Sequence, residues 1–401
     1  MFGWEFPPYN SGGLGTACLG LSRALVKENV GIIFVLPKKF NVHSSDIRII
    51  FADQQGIKFE EIDSPIYPYV TSDKYSIERE HENNDVYGRT LLEEVRRYAR
   101  SARKIAKKQK FDIIHAHDWL SFLAGIEAKK VSGKPLVVHV HATEFDRTGG
   151  QNINQNVYNI ERQGMQFADK VIAVSNRTKE KIIHHYGIPA EKIEVVYNGV
   201  DREEFKALPE RLYTLKKDGK KIVLYAGRIT IQKGPEYFIR AAKQTLEYYP
   251  DAIFVVAGSG DMEHQMMMEA AYLGISDKVI FTGFLRGDDL SAVYQVADLY
   301  VMPSVSEPFG IAPLEALSNN TPVLISKQSG VSEVLTHALK ADFWDTNEMA
   351  NKIVSTLKHD SLKNTLRDNG RHDVDKLSWT ESARKCINLY KQILSERQIT
   401  V

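Results

Sequence analysis

The sequence predicts an α/β protein of two doubly wound, Rossmann-like domains, and three observations carry that prediction. Short apolar runs alternate with amphipathic stretches of ten or more residues from end to end, the pattern of parallel sheets covered on both faces. The pattern pauses once, at Tyr197-Asn198-Gly199-Val200-Asp201 and the polar segment 202–220, and then restarts. The length, 401 residues, suits two domains of ordinary size.

The first half reads as strands at Ile32–Leu36, Asp112–His115, Leu136–His141 and Lys170–Val174. Helices are expected at Ala17–Lys27, Thr90–Lys108 and Ile160–Ala168. The second half reads as strands at Lys221–Ala226, Ala252–Ala257, Lys278–Thr282, Leu299–Met302 and Pro322–Ser326. A last helix is expected from Trp379 to Ser395, after a plausible N-cap at Ser378. The expected division is 1–200 and 201–378, with residues 379–401 crossing back onto the first domain. Two stretches break the pattern, Asp63–Arg89, which carries four tyrosines, and Thr143–Tyr158, rich in Gly, Asn and Gln. Loops this long inside a compact domain are usually functional or mobile.

Composition excludes several classes. The net charge of +1 draws neither nucleic acid nor a membrane surface, and no apolar run approaches the roughly 18 residues of a span. Two cysteines, Cys18 and Cys386, build no disulfide framework, so a reducing, cytoplasmic setting is expected. The N-terminus shows no basic region followed by an apolar run, so no signal peptide is expected there. Strand-like residues begin at Met1 itself, which is read as a sign that a few native residues precede it. The basic run 96–110 has apolar residues at helical spacing and is read as the solvated face of a helix. Met266-Met267-Met268 is read as core packing, and Asp373-Val374-Asp375, which mimics a metal–nucleotide motif, is discounted as part of a charged helical tail.

In an open parallel sheet, ligands bind beyond the carboxyl ends of the strands. Gly12-Gly13-Leu14-Gly15 follows the first strand there and leads into a helix, where bare glycines let amides approach an anion. It is not a dinucleotide fingerprint, because Cys18 stands where the third glycine belongs and no acid follows the second strand. Arg228 and Lys233 follow a single strand and could face one anion. A cation 4 Å from a phosphate is worth about 4 kcal/mol at an effective dielectric of 20. In Ser306-Glu307-Pro308-Phe309-Gly310-Ile311-Ala312-Pro313-Leu314-Glu315, Pro313 suits a first helical turn. The amides before it suit a phosphate, and Glu307 and Glu315 offer acceptors for sugar and ribose hydroxyls. The plain alternatives are a surface carboxylate for Glu307 and dipole stabilisation for Glu315, worth about 0.3–1 kcal/mol. His139 and His141 share one strand face. No Cys or acidic cluster completes a ligand set, and His115 and His117 have no spacing signature, so no metal and no cofactor is expected.

Together these pieces resemble the retaining glycosyltransferases of family 4, which have the GT-B fold of two domains facing across a cleft. The resemblance rests on Gly12-Gly13-Leu14-Gly15, His115-Ala116-His117-Asp118-Trp119, the segment from Val140 to Arg147, Asn198–Asp201, Gly227-Arg228, Gln232-Lys233-Gly234 and Glu307–Gly310 through Glu315. Of these, HAHDW and HATEFDR are most similar to the glycogen and starch synthase branch. The resemblance implies a nucleotide-sugar donor and a glucan or sugar acceptor. It implies that Arg228 and Lys233 bind the donor diphosphate, Glu315 the ribose, and Glu307 with the backbone of Phe309, Gly310 and Ile311 the transferred sugar. Gly12 and Gly13 would touch the diphosphate, Gly283 and Phe284 would flank the base, Leu314 would line the donor site, and His141 would lie beside the reacting centre. Asp118, Glu144 and Gln151 are expected at the acceptor. Asn10 departs from the lysine common before the double glycine, which leaves UDP-glucose at least as plausible as ADP-glucose. Alternatives are a small sugar or sugar-phosphate acceptor, an epimerase on the same fold, and a non-enzymatic glucan-binding protein. Oligomeric state is not set by the sequence.

Overall fold

The computed structural model describes residues 1–7, 12–38, 47–51, 91–200 and 219–399. The tyrosine-bearing stretch 63–89, Asn10 and the polar segment from 201 to 218 lie outside the described residues. Two compact units emerge. One comprises Met1–Glu144, Asn152–Tyr197 and Trp379–Val401, the other Phe145–Gln151 and Asn198–Ser378.

In the first unit, Phe2 bridges in parallel to Val35 on one side and Ala116 on the other. Its N–H donates to the His115 carbonyl at 2.8 Å, and its carbonyl accepts from the His117 N–H at 2.9 Å. The chain continues through α1 (Gly13–Lys27), β1 (Ile33–Leu36), β2 (Arg48–Phe51), α2 (Leu91–Lys108), β3 (Ile114–His117), α3 (Trp119–Ser132) and β4 (Leu136–Val140). It then forms α4 (Glu144–Arg147), α5 (Gln155–Phe167), β5 (Lys170–Ala173), α6 (Asn176–Tyr186) and β6 (Ile193–Val195). All pairings are parallel, so the described order is β2, β1, the Phe2 segment, β3, β4, β5, β6.

Helix α2 buries Leu91, Val95, Tyr98, Ala99, Ala102 and Ala106, spaced three and four apart, and turns Arg96, Arg100, Arg103, Lys104, Lys107 and Lys108 to solvent. The Tyr98 hydroxyl reaches the carbonyls of Gly3 at 3.1 Å and Val35 at 2.7 Å, fastening the helix to the two central strands. Strand β3 starts two residues later than expected, because Asp112 is exposed and burial begins at Ile114. Helix α3 was not foreseen. It is buried on several sides at once, so it lacks the polar stripe that gives a surface helix its periodicity.

The second unit runs through β7 (Lys221–Ala226), α7 (Pro235–Tyr248), β8 (Ala252–Ala257), α8 (Glu263–Tyr272), β9 (Val279–Gly283), α9 (Gly287–Val296) and β10 (Leu299–Met302). It ends with α10 (Ala312–Ser318), β11 (Val323–Ser326), β12 (Leu339–Ala341), α11 (Thr346–Lys358) and α12 (Asp360–Asp375). Its six parallel strands are ordered β12, β11, β10, β7, β8, β9. The chain therefore winds outward from β7 through β8 and β9, then returns to lay β10 on the other side of β7. That reversal is the topological switch point, where a crevice opens at the carboxyl ends of the two strands.

Phe238, Phe254, Met266 and Ile353 belong to the core of this unit. Only Met266 of the methionine triplet belongs to it, since Met267 and Met268 are 41% and 59% exposed. Asp373 is buried and accepts the N–H groups of Thr336 at 2.7 Å and His337 at 2.8 Å, a structural anchor rather than a metal ligand.

Helix α13 (Trp379–Ile399) belongs to the first unit. There the Trp379 indole lies over Gly20 of α1, so close that a Cβ on Gly20 would stand 2.3 Å from the ring. Alanine is favoured over glycine in a helix by about 1 kcal/mol, yet here the ring is buried and cannot swing aside. Gly20→Ala is therefore expected to destabilise the protein by roughly 1–3 kcal/mol, read as a lower urea midpoint. An unchanged or raised midpoint would show that α13 yields readily.

Candidate active site

The carboxyl ends of β7 and β10 deliver a closely hydrogen-bonded polar group. After β7 the chain turns through Gly227 and Arg228, whose carbonyl accepts the Tyr225 hydroxyl at 2.7 Å. A single 3-10 turn, Ile231–Lys233, follows and stops at Gly234. Gly234 has φ +60° and no room for a side chain, since a Cβ would lie 2.3 Å from the Pro303 carbonyl oxygen. Pro235 then opens α7. The turn thus presses against the segment that leaves β10.

Gln232 makes the contact specific. Its carbonyl accepts the Val305 N–H at 3.0 Å, its side-chain amide donates to the Ser306 carbonyl at 3.1 Å, and its Oε1 accepts from Arg228 at 3.4 Å. Beside it, the Lys233 ammonium meets Glu307 Oε2 at 2.5 Å, and Ser304 Oγ donates to that same oxygen at 3.1 Å. The Glu307 side chain is 7% exposed and that of Lys233 21%. Glu307 is itself pinned by main chain, its N–H donating to the Gln328 carbonyl at 3.1 Å and its carbonyl accepting from Gly330 at 2.9 Å.

Arg228, Lys233 and Glu307, named from sequence, therefore come together. Gln232 stood in the sequence only as part of a motif, and Ser304 was missed. A buried hydroxyl that fixes a carboxylate leaves no signal in a linear pattern. The Phe145–Gln151 segment joins this neighbourhood, with Ser306 Oγ donating to Asp146 Oδ1 at 2.8 Å.

The remaining residues of this stretch take distinct places. Gly310 has φ +104°, which turns the chain into α10. Among the described residues, the amides of Gly310 and Ile311 donate to no acceptor. Phe309 and Leu314 are buried, and the Leu314 N–H is taken by the Ile311 carbonyl at 2.8 Å, so these two side chains pack rather than line an open surface. Half-buried Glu315 accepts the Tyr294 hydroxyl at 3.2 Å. Gly283 and Phe284 lie at the end of edge strand β9, two strands from β7, with the Arg286 guanidinium 4.8 Å above the half-exposed Phe284 ring.

In the first unit, Gly12 and exposed Gly13 stand at the head of α1, which has no side-chain cap. Asp118 holds φ +59°, rare for a residue with a side chain. Its Oδ1 accepts the N–H groups of His141 at 2.7 Å and Ala142 at 3.3 Å. Glu144 accepts the Asn154 N–H at 3.1 Å. Both carboxylates are buried and brace main chain, whereas Gln151 is exposed.

His141 belongs to an array that the spacing did not announce. Strand register sets His117 beside His139. His117 Nδ1 lies 3.0 Å from His141 Nε2, and His115 Nε2 lies 3.3 Å from His139 Nδ1. Burial pushes the first three imidazoles well below the usual histidine pKa and His141 down to about 3, so all four are neutral at pH 7.

The model of glycosyltransferase family 4 matches residues 11–204, and that of glycosyl transferases group 1 matches residues 210–373. An uncharacterized glycosyltransferase of Methanocaldococcus jannaschii is 31% identical over 98% of this chain and 97% of its own. The chain belongs to glycosyltransferase family 4. The Mycobacterium tuberculosis glycogen synthase is 27% identical over 84% of this chain and 79% of its own. The solved sucrose-phosphate synthase of Thermosynechococcus elongatus has a TM-score of 0.80 at 21% identity, covering 98% of both chains. Anabaena HepE in complex with UDP-glucose has a TM-score of 0.68 at 18% identity, covering 100% of this chain and 98% of that one. These structures give the family 4 glycosyltransferase its fold class, GT-B.

The ion pair gives Lys233 of this glycosyltransferase a structural part as well. Removing Lys233 not only removes a cation, it strands a buried carboxylate, which costs roughly 3 kcal/mol, on the order of 6–12 °C for a unit of this size. Lys233→Ala is thus expected to lower both turnover, by at least about 100-fold, and melting temperature. Adding Glu307→Gln should restore most of the melting temperature and none of the turnover. Recovery of both would assign Lys233 a purely structural part.

Proposed function

We propose that this family 4 glycosyltransferase moves glucose from a nucleotide diphosphate, UDP- or ADP-glucose, to an α-glucan or related sugar hydroxyl, with retention of the α configuration. The observation that carries the reading is the assembly of Arg228, Lys233 and Glu307 at the switch point of the second unit. A departing diphosphate gains negative charge as its bond to the sugar breaks, and cations placed for that moment lower the barrier. Arg228 and Lys233 supply them. Glu307, neutralised by Lys233 until a donor arrives, is free to accept from sugar hydroxyls when the ammonium turns to phosphate.

In this proposal Glu315 holds the ribose, Phe284 and Gly283 flank the base, and the amides of Gly310 and Ile311 face the sugar and phosphate. Gly12 and Gly13 offer amides to the diphosphate, and His141 serves the reacting centre. His141, neutral through burial, contributes its main chain and an uncharged ring rather than a proton. The leaving oxygen departs on the acceptor's side and takes the proton of the incoming hydroxyl, so the step uses no nucleophilic residue. The glycogen synthase relative supports a glucan acceptor. A small phosphorylated acceptor is the second reading, supported by the D-inositol 3-phosphate glycosyltransferase of Salinispora arenicola, 29% identical over 71% of this chain. A cytoplasmic setting fits the two buried, unbridged thiols. Among the described residues no helix is long and apolar enough to cross a membrane.

The test offers UDP- and ADP-glucose with glycogen, maltose or glucose 1-phosphate and measures nucleotide release and the anomer formed. Release that requires glycogen or maltose, with an α-linked product, is expected. Release only with the phosphate moves the assignment to a small acceptor, and conversion of the donor without any acceptor indicates an epimerase. Tight glucan binding with no nucleotide binding by calorimetry would remove the enzymatic reading altogether.

A further inference from the structure

The imidazole array of the first unit carries more than a neighbour for His141. One nitrogen from each of His115, His117 and His139 lies within 4.8 Å of those of the other two, and all three side chains are buried. The pattern is a His-x-His on β3 with a third histidine directly across on β4. Strand alternation puts the first two on one face, and register brings the third beside them.

Two observations point to a ligand. His117 Nε2 is buried and has no hydrogen-bond partner, its Nδ1 being turned to His141. Buried nitrogens of this kind are rare unless water or an ion serves them. The 3.3 Å between His115 Nε2 and His139 Nδ1 is long for a hydrogen bond. It matches the edge of a tetrahedron, about 3.3 Å, spanned by two nitrogens each about 2.0 Å from one ion.

An outer partner is also in place. His115 Nδ1 lies 2.5 Å from the Tyr390 hydroxyl of α13, the kind of second contact that orients a ligating imidazole. The set contains nitrogen alone, which suits zinc, copper, nickel or cobalt and not the oxygen-seeking magnesium or calcium.

We propose that His115, His117 and His139 bind one divalent transition-metal ion that ties β3 to β4 and, through Tyr390, to the C-terminal helix. Filling the site requires one rearrangement. The rings of His115 and His117 are stacked 11° from parallel with centroids 4.4 Å apart, so His117 must turn out of the stack for its lone pair to converge on the others. The ion is structural and takes no part in the transfer step. The proposal departs from the sequence expectation of no metal.

The test uses untagged full-length protein stripped by chelator, then titrated with Zn²⁺ against a chromophoric competitor and with Co²⁺ by visible absorption. The expected result is about one ion per chain, intense bands of low-coordinate cobalt, and a melting temperature that rises with free Zn²⁺. His117→Gln and His139→Val should each abolish the cobalt bands, while changing the adjacent pair His184 and His185 to Gln should leave them. Fewer than about one ion in ten chains, or binding that survives His117→Gln and vanishes with the His184 and His185 changes, overturns the proposal. The stoichiometry of the unaltered protein decides the matter even if a variant fails to fold.

Discussion

The bond between the Lys233 ammonium and the Glu307 carboxylate is the constraint around which the second unit is arranged. A buried carboxylate is costly unless a cation and hydrogen bonds serve it. Lys233 and Ser304 both reach the same oxygen. Each needs a device to be there. Lys233 ends a one-turn 3-10 helix that can stop only at a glycine with positive φ and no side chain. Ser304 lies on the segment from β10, which Gln232 clamps with its main chain and its amide. Such a pair adds little net stability over an apolar packing of the same volume. Its retention makes more sense as placement. A cation held beside a carboxylate is already desolvated and aimed, so an arriving anion finds it in position.

That arrangement follows from winding order. Because β10 returns to the far side of β7, the turns after both strands end side by side, and residues about 70 apart in sequence become hydrogen-bonded neighbours. Had the chain continued past β9, the Lys233 turn and the Glu307 turn would stand several strands apart. Phe284 shows that outcome, since it follows β9 and sits at the sheet edge.

The legibility of the molecule in its sequence follows the same physics. Strands β7, β8 and β10 were readable to the residue because they are continuous apolar runs buried on both faces. Short edge strands such as β2, β6 and β12 escaped, having mixed burial and little apolar length. In the site, charged residues beside glycines were readable, because a cation next to a residue of special backbone freedom is improbable without a use. What motif position did not disclose is the main-chain bonding of the buried acids. Asp118 and Glu144 looked like groups awaiting a ligand, yet each spends its carboxylate on backbone N–H groups.

Asp118 shows why such a distinction needs coordinates. A non-glycine residue at φ +59° costs on the order of 1–3 kcal/mol. It persists only where the surroundings over-determine it, and here they do. Its carboxylate crosses to the turn after β4 and accepts two successive N–H groups, those of His141 and Ala142. The carboxylate thereby fixes the two main-chain amides that lead out of a parallel strand. The strained residue after β3 is thus the means by which the turn after β4, His141 included, is ordered. The same two strands carry the histidine array one and three residues earlier. The acid that orders the turn and the imidazoles stacked behind it are therefore one construction, set by a register of four residue pairs between β3 and β4.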